Sequence, residues 1–381
     1  MAPPRRGRRA LVLSVVSVLL LGGLFLRRPV STHLRAMSVL TRFSSPQETG
    51  WRAGYAQHPV AIDTFTALTP YGPLRYRIYQ PTDVQNPGGV VLLHGIHALG
   101  IEEPRLNTFA RALAGAGIEV MTPELTDLAD YRVTPQSVDF IGTSAALLST
   151  RLKTPNVGVM GLSFAGGLAL VAASRPEYAS HMRFVVAIGS HDDLTRVSRF
   201  FATDTIERID GSTAPFAAHE YGTLVLAFAH LDYFFSEEDT PVAREALRLW
   251  LHQQNQPSLD AAQRLTPKGR EIFDTMLHHR DQLRPMLLEE IVKYSAEMAP
   301  VSPHGQIGKL TVPVYLLHGA GDNVIPPNEC LWLAHDLPPK DLRRILISPA
   351  LVHVNMDDKI TMRQQWDLVD FIADVIGTAE Q

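Results

Sequence analysis

The sequence predicts an α/β domain: one mostly parallel, doubly wound sheet, with a helical insertion between its sixth and seventh strands and a hydrophobic segment at the amino end. Three observations predict it. Short apolar runs alternate with amphipathic stretches from residue 89 to residue 188, as expected of strand–helix–strand units with right-handed crossovers. At Gly161-Leu162-Ser163-Phe164-Ala165-Gly166-Gly167 an apolar strand gives way abruptly to a helix. The interval from about residue 191 to residue 308 is helical in pattern and too long for a plain loop.

Taken in order, Arg5, Arg6, Arg8 and Arg9 precede an uncharged run over residues 10–26, which Arg27 and Arg28 close. Its length lies at the lower limit for crossing hydrocarbon, about 17 residues. No small-x-small cleavage site follows cleanly, since Leu34 occupies one of the positions needed. The expectation is an uncleaved single-pass signal anchor with the folded domain outside the cytoplasm; the alternative is export after cleavage. Residues 1–36 then form anchor and linker, and 37–381 the folded domain.

Residues 60–68 and 74–79 alternate as antiparallel edge strands around Tyr71-Gly72-Pro73. Strands follow at 90–93, 119–122, 157–160 and 184–188, with helices at 104–114 and 136–152 and after Ser163. Within the insertion, residues 241–253 present Val242, Ala246, Leu249 and Trp250 on one side, and residues 274–298 read as a helix broken near Pro285. Strands resume near Val312 and Arg343.

Composition narrows the function. Thirty-five Lys and Arg against thirty-nine Asp and Glu give a net charge of −4, so no basic surface for nucleic acid is expected. Cys330 is the single cysteine, which excludes intrachain disulfides and thiolate-rich metal sites. No cofactor or metal is expected. His191-Asp192-Asp193 and His278-His279 lack the spacing of a zinc site and read as solvated faces. The sequence leaves the oligomeric state open.

The chemistry centres on Ser163. A serine at a strand-to-helix junction sits on a strained turn with its hydroxyl held clear, and Gly161 and Ala165 are small enough to permit that turn. Phe164 begins the helix, so its amide is available to an oxyanion. A serine needs a base, and the base an orienting acid. His353, in the loop after the last strand, is the leading base, with His94 and His318 as rivals that more simply bond their own loops. Asp322 is the leading acid, with Asp192 and Asp193 after the sixth strand as rivals. Phe200, Phe201, Tyr233, Phe234, Phe235 and Trp250 read first as packing within the insertion and second as pocket lining.

The order Ser163, Asp322, His353, together with the strand that breaks into His94-Gly95-Ile96, resembles the α/β-hydrolase superfamily over residues 60–375. The resemblance implies a nucleophile after the fifth strand, an acid after the seventh and a histidine after the eighth, with the Ile96 and Phe164 amides as oxyanion hole. Ala165 stands where glycine is commoner. The missing glycine run after Gly95 sets the chain apart from the hormone-sensitive-lipase-like branch. The function implied is hydrolysis of a small-molecule carboxylic ester with an apolar acyl group, by a membrane-bound enzyme held through residues 10–26. A peptidase, an acyltransferase or a non-catalytic binding protein on the same fold are the alternatives.

Overall fold

The computed structural model describes residues 30–55, 57–352, 355–356 and 361–381. Eight strands share one sheet: β1 (Val60–Thr69), β2 (Gly72–Pro81), β3 (Gly88–Leu93), β4 (Ile118–Pro123), β5 (Val157–Leu162), β6 (Met182–Ile188), β7 (Val314–Gly319) and β8 (Leu342–Ser348). Their order is β1-β2-β4-β3-β5-β6-β7-β8. Only β2 opposes the other seven. The β1–β2 turn is tight enough to place Gly72 at φ 118°, a conformation that favours glycine.

Alternate residues of each central strand serve opposite layers. Val91, Leu93, Val159, Val185 and Leu316 pack with helices Pro135–Leu152 and Phe164–Ser174. Val90, Leu92, Met160, Val186 and Leu317 face helices Pro104–Gly115 and Met362–Ala379. Burial on both faces explains why these strands read as unbroken apolar runs.

Between β6 and β7 the chain forms a helical insertion with its own core around Phe228, Leu231, Leu247, Leu287 and Ile291. Two details differ from expectation. Helix Thr240–Leu251 buries Ala243, Ala246, Leu247 and Leu251, a stripe rotated from the expected one because Val242 and Leu249 are only half-buried at its margin. Pro285 lies inside helix Arg280–Met298 without ending it, and the break falls at His279 (φ −136°, ψ 43°) between Pro267–His278 and that helix.

The amino end requires correction. Among the described residues no helix is long and apolar enough to cross a membrane, which overturns the expected single-pass anchor, the membrane contact and the localisation derived from them. The longest described helix, Arg280–Met298, spans 19 residues, yet carries Arg, Asp, Lys and Glu along its length. Residues 10–26, on which the expectation rested, lie outside the described residues. Residues 30–44 are helical, with Ala36 and Val39 fully buried. Ser38 Oγ donates to the Ala53 carbonyl at 2.8 Å, and Arg35 donates to that of Ala116 at 3.0 Å while pairing with Glu380. The packed domain thus reaches back past the boundary expected at residue 37.

Candidate active site

Ser163 has φ 56° and ψ −133° between the last residue of β5 and the first of helix Phe164–Ser174. A side-chain-bearing residue at such dihedrals costs roughly 1–3 kcal/mol. Neighbouring packing holds it there: the Ser163 N–H donates to the Ile188 carbonyl at 2.7 Å, and the Gly166 N–H donates back to the Ser163 carbonyl at 3.0 Å. The turn closes because Gly161 lies flat against Gly166, where a Cβ would come within 2.5 Å of the Gly166 Cα and N. Gly161→Ala should therefore lower stability by about 1–3 kcal/mol, as the clash is with backbone that cannot rotate away. Chemical denaturation checks this; an unchanged unfolding curve would mean the elbow is looser than drawn.

The loop after β3 comes up beside the serine. A Cβ on Gly95 would lie 3.1 Å from the Ser163 Cβ, so any side chain here would press on the serine. His94 fixes the loop. The Leu125 N–H donates to His94 Nε2 at 3.0 Å, so Nδ1 carries the proton and donates to the Gly95 carbonyl at 2.7 Å. Burial lowers the His94 pKa, keeping the ring neutral in that tautomer. The Gly95-Ile96 peptide is thereby oriented, and with it the Ile96 N–H. Phe164, first in its helix, has no carbonyl one turn earlier within the helix to take its N–H.

Asp322 is fully buried after β7. Its Oδ1 accepts from the Val324 and Ile325 N–H groups at 2.9 and 3.0 Å. Gly189, at the end of β6 with φ 61°, passes so near that a Cβ would sit 3.3 Å from Asp322 Oδ2. The rival acids are committed elsewhere. Asp192 Oδ2 pairs with Arg196 at 2.8 Å, and Asp193 caps helix Leu194–Thr203 through the Thr195 N–H. The rival histidines bond their own loops, His94 as described and His318 through Nε2 to the Ile325 carbonyl at 2.8 Å. Ile96, Phe164, Val324 and Ile325 pack in one cluster, so the loops after β3, β5 and β7 meet at Ser163. His353 lies outside the described residues.

A mostly parallel eight-stranded sheet with a strained serine elbow after its fifth strand, beside a glycine loop after its third, decides the architecture. The chain has the α/β-hydrolase fold. No protein-family model matches it, and no curated protein matches it in sequence. Among solved structures it is similar to an esterase from Pyrobaculum calidifontis, at 17% identity over 91% of each chain with a TM-score of 0.46. It is also similar to an acylaminoacyl peptidase, at 13% identity over 81% of this chain and 40% of that one, TM-score 0.48. Brefeldin A esterase, a bacterial homologue of human hormone sensitive lipase, is similar at 13% identity over 92% and 85%, TM-score 0.47.

Within this hydrolase fold, Ser163, Ile96 and Phe164 border a cavity of about 1080 Å³ beneath the insertion. Tyr131, Tyr221 and His252 also line it, and the sequence carried little signal for them. Tyr131 is a bulky residue at φ 60° whose hydroxyl donates to the Leu251 carbonyl at 2.8 Å, tying the loop after β4 to the insertion. Of the aromatic residues noted in the insertion, Trp250 lines the cavity, while Phe200, Phe201, Phe234 and Phe235 are buried packing.

His278 and His279 are exposed, as expected, but His191 and Asp192 are fully buried rather than solvated. The His191 ring lies 5.4 Å from that of Phe164 and bonds the Val301 carbonyl through Nε2 at 3.0 Å. Burial lowers its pKa from 6.5 to about 4. The unfolded chain then binds a proton that the folded chain refuses, so stability present above pH 6.5 is lost as pH falls toward 4. The loss approaches about 3 kcal/mol. Urea titrations from pH 7 to pH 4.5 check this: His191→Gln should lose less on acidification than wild type, and equal losses would remove His191 as a source.

Proposed function

We propose that the chain is a serine hydrolase that cleaves a carboxylic ester through an acyl-enzyme on Ser163. The observation that carries the reading is the strained Ser163 backbone at the strand–helix junction, bordering a large cavity. Such strain persists only where surrounding structure enforces it, and it clusters at sites of chemistry. In the proposed reaction Ser163 Oγ attacks the ester carbonyl and passes its proton to His353, which Asp322 orients. The Ile96 and Phe164 amides take the negative charge of the tetrahedral oxygen, aided by the helix dipole. The ester C–O bond then breaks, His353 gives the proton to the departing alcohol, and water releases the acid by the same steps. The insertion helices serve as a lid that excludes bulk water.

Fluorophosphonate labelling followed by peptide mapping tests the reading. Adduct on Ser163 and hydrolysis of p-nitrophenyl esters are expected. Amide cleavage without ester cleavage would make the chain a peptidase, and acyl transfer to an added alcohol in preference to water would make it an acyltransferase. Absence of both labelling and turnover would leave a binding protein.

A further inference from the structure

Ser163 borders two cavities, not one. Besides the large space beneath the insertion, it opens on a pocket of about 110 Å³ walled by Leu40, Phe43, Leu106, Phe109, Leu317 and Ile372. The Phe43 ring, from the helix over residues 30–44, closes against Phe109 with centroids 5.1 Å apart. Much of the polar character on this wall is already engaged: both His94 nitrogens as described, His97 Nδ1 by the Leu99 N–H, and the Glu103 carboxylate by the Leu106 N–H and Arg105. An apolar group is therefore what fits. A cavity of roughly 150 Å³ admits benzene, so this one holds an aliphatic chain of about four carbons.

The large cavity differs in kind. His252 and Tyr221 both line it, and His252 Nε2 is buried and, among the described residues, without a hydrogen-bond partner. Burial lowers the His252 pKa and raises that of Tyr221, so both are neutral hydrogen-bonding groups. Exposed Gln253 and Gln254 at the rim show that this space opens to solvent. A leaving group must depart before the acyl-enzyme is hydrolysed, so the open cavity suits the alcohol and the small pocket the acyl chain.

We infer that the site is built for an unsymmetrical ester: a short aliphatic acyl group in the small pocket, capped by Leu40 and Phe43, and a bulky, uncharged, hydroxyl-bearing alcohol against His252 and Tyr221. The inference rests on the hydrolase reading above. Two substrate series separate them: p-nitrophenyl esters from acetyl to decanoyl, and acetates of alcohols from methanol to polyhydroxylated aromatics. Beyond butanoyl, kcat/KM should fall by about tenfold or more per added methylene, while acetates of larger alcohols are cleaved at least as well as methyl acetate. Phe43→Ala should move the cut-off to longer acyl chains, and Phe43→Leu should move it less. His252→Phe should lower kcat/KM about tenfold on the hydroxylated acetates. Long acyl chains cleaved as well as acetyl, or a cut-off that stays put in both Phe43 variants, overturns the inference with the hydrolase reading intact. No ester cleaved and no label on Ser163 removes both.

Discussion

Ser163→Ala is expected to abolish ester hydrolysis and fluorophosphonate labelling, and Ser163→Gly to do the same while leaving a more stable protein. Losing the nucleophile of such a site lowers kcat by on the order of 10⁴ to 10⁶, because the remaining parts act as a unit and contribute little alone. The stability order comes from the backbone. At φ 56° and ψ −133° alanine keeps the strain that serine bears, whereas glycine reaches such dihedrals without a Cβ clash. Glycine should gain about 1 kcal/mol over alanine. Both variants keep the N–H that donates to Ile188, so the elbow survives in each. Saturating p-nitrophenyl acetate turnover, labelling and urea denaturation read the three quantities. Labelling retained by the alanine variant removes Ser163 as nucleophile, and a glycine variant less stable than the alanine one refutes the strain.

The sheet and the elbow were legible because each is written locally. Central strands buried on both faces leave unbroken apolar runs, and a turn as tight as that at Ser163 demands small residues such as Gly161 within the same heptapeptide. What stayed hidden depends on distant chain. The helix over residues 30–44 has a helical period in Ala36, Val39, Leu40 and Phe43, but the uncharged run before it drew the reading toward a membrane. The helix Met362–Ala379 is announced by its capping box, Thr361 with Gln364, a signal of four residues easily passed over. The insertion is helical in its pattern, but Pro285 has the signature of a breaker and His279, where the break falls, does not. Most opaque was the fate of Asp192. It reads as a candidate acid, yet its carboxylate pairs with Arg196 four positions on, in a buried cluster completed by Glu329, which is more than a hundred positions away and so invisible to local pattern.

Arg196→Met is expected to cost about 3–5 kcal/mol of stability, the usual penalty for removing one member of a buried ion cluster. Arg196 is 9% exposed, while Asp192 and Glu329 are fully buried. Its Nε donates to Glu329 Oε1 at 2.6 Å and its Nη2 to Glu329 Oε2 and Asp192 Oδ2 at 3.2 and 2.8 Å, with the guanidinium 4.3 Å from the centre of the Trp332 ring. Glu329 Oε2 also takes the N–H groups of Asp192 and Asp193, so the cluster ties the end of β6 to helix Asn328–Asp336, just beyond Asp322. Burial already raises the Asp192 pKa from 3.8 to about 7 against the lowering effect of Arg196, so without the arginine it is pushed higher still. A raised acid pKa means stability that is present at low pH and lost as pH rises, so the deficit relative to wild type should shrink between pH 8 and pH 5. The acid-labile contribution of His191 is common to both proteins and cancels in that difference. Arg196→Lys should recover part of the loss, since an ammonium restores the charge but neither the forked contact with Glu329 nor the stacking on Trp332. Urea midpoints at the two pH values decide the matter. A deficit that is small, or that grows toward pH 5, would show that the carboxylates are accommodated without their arginine.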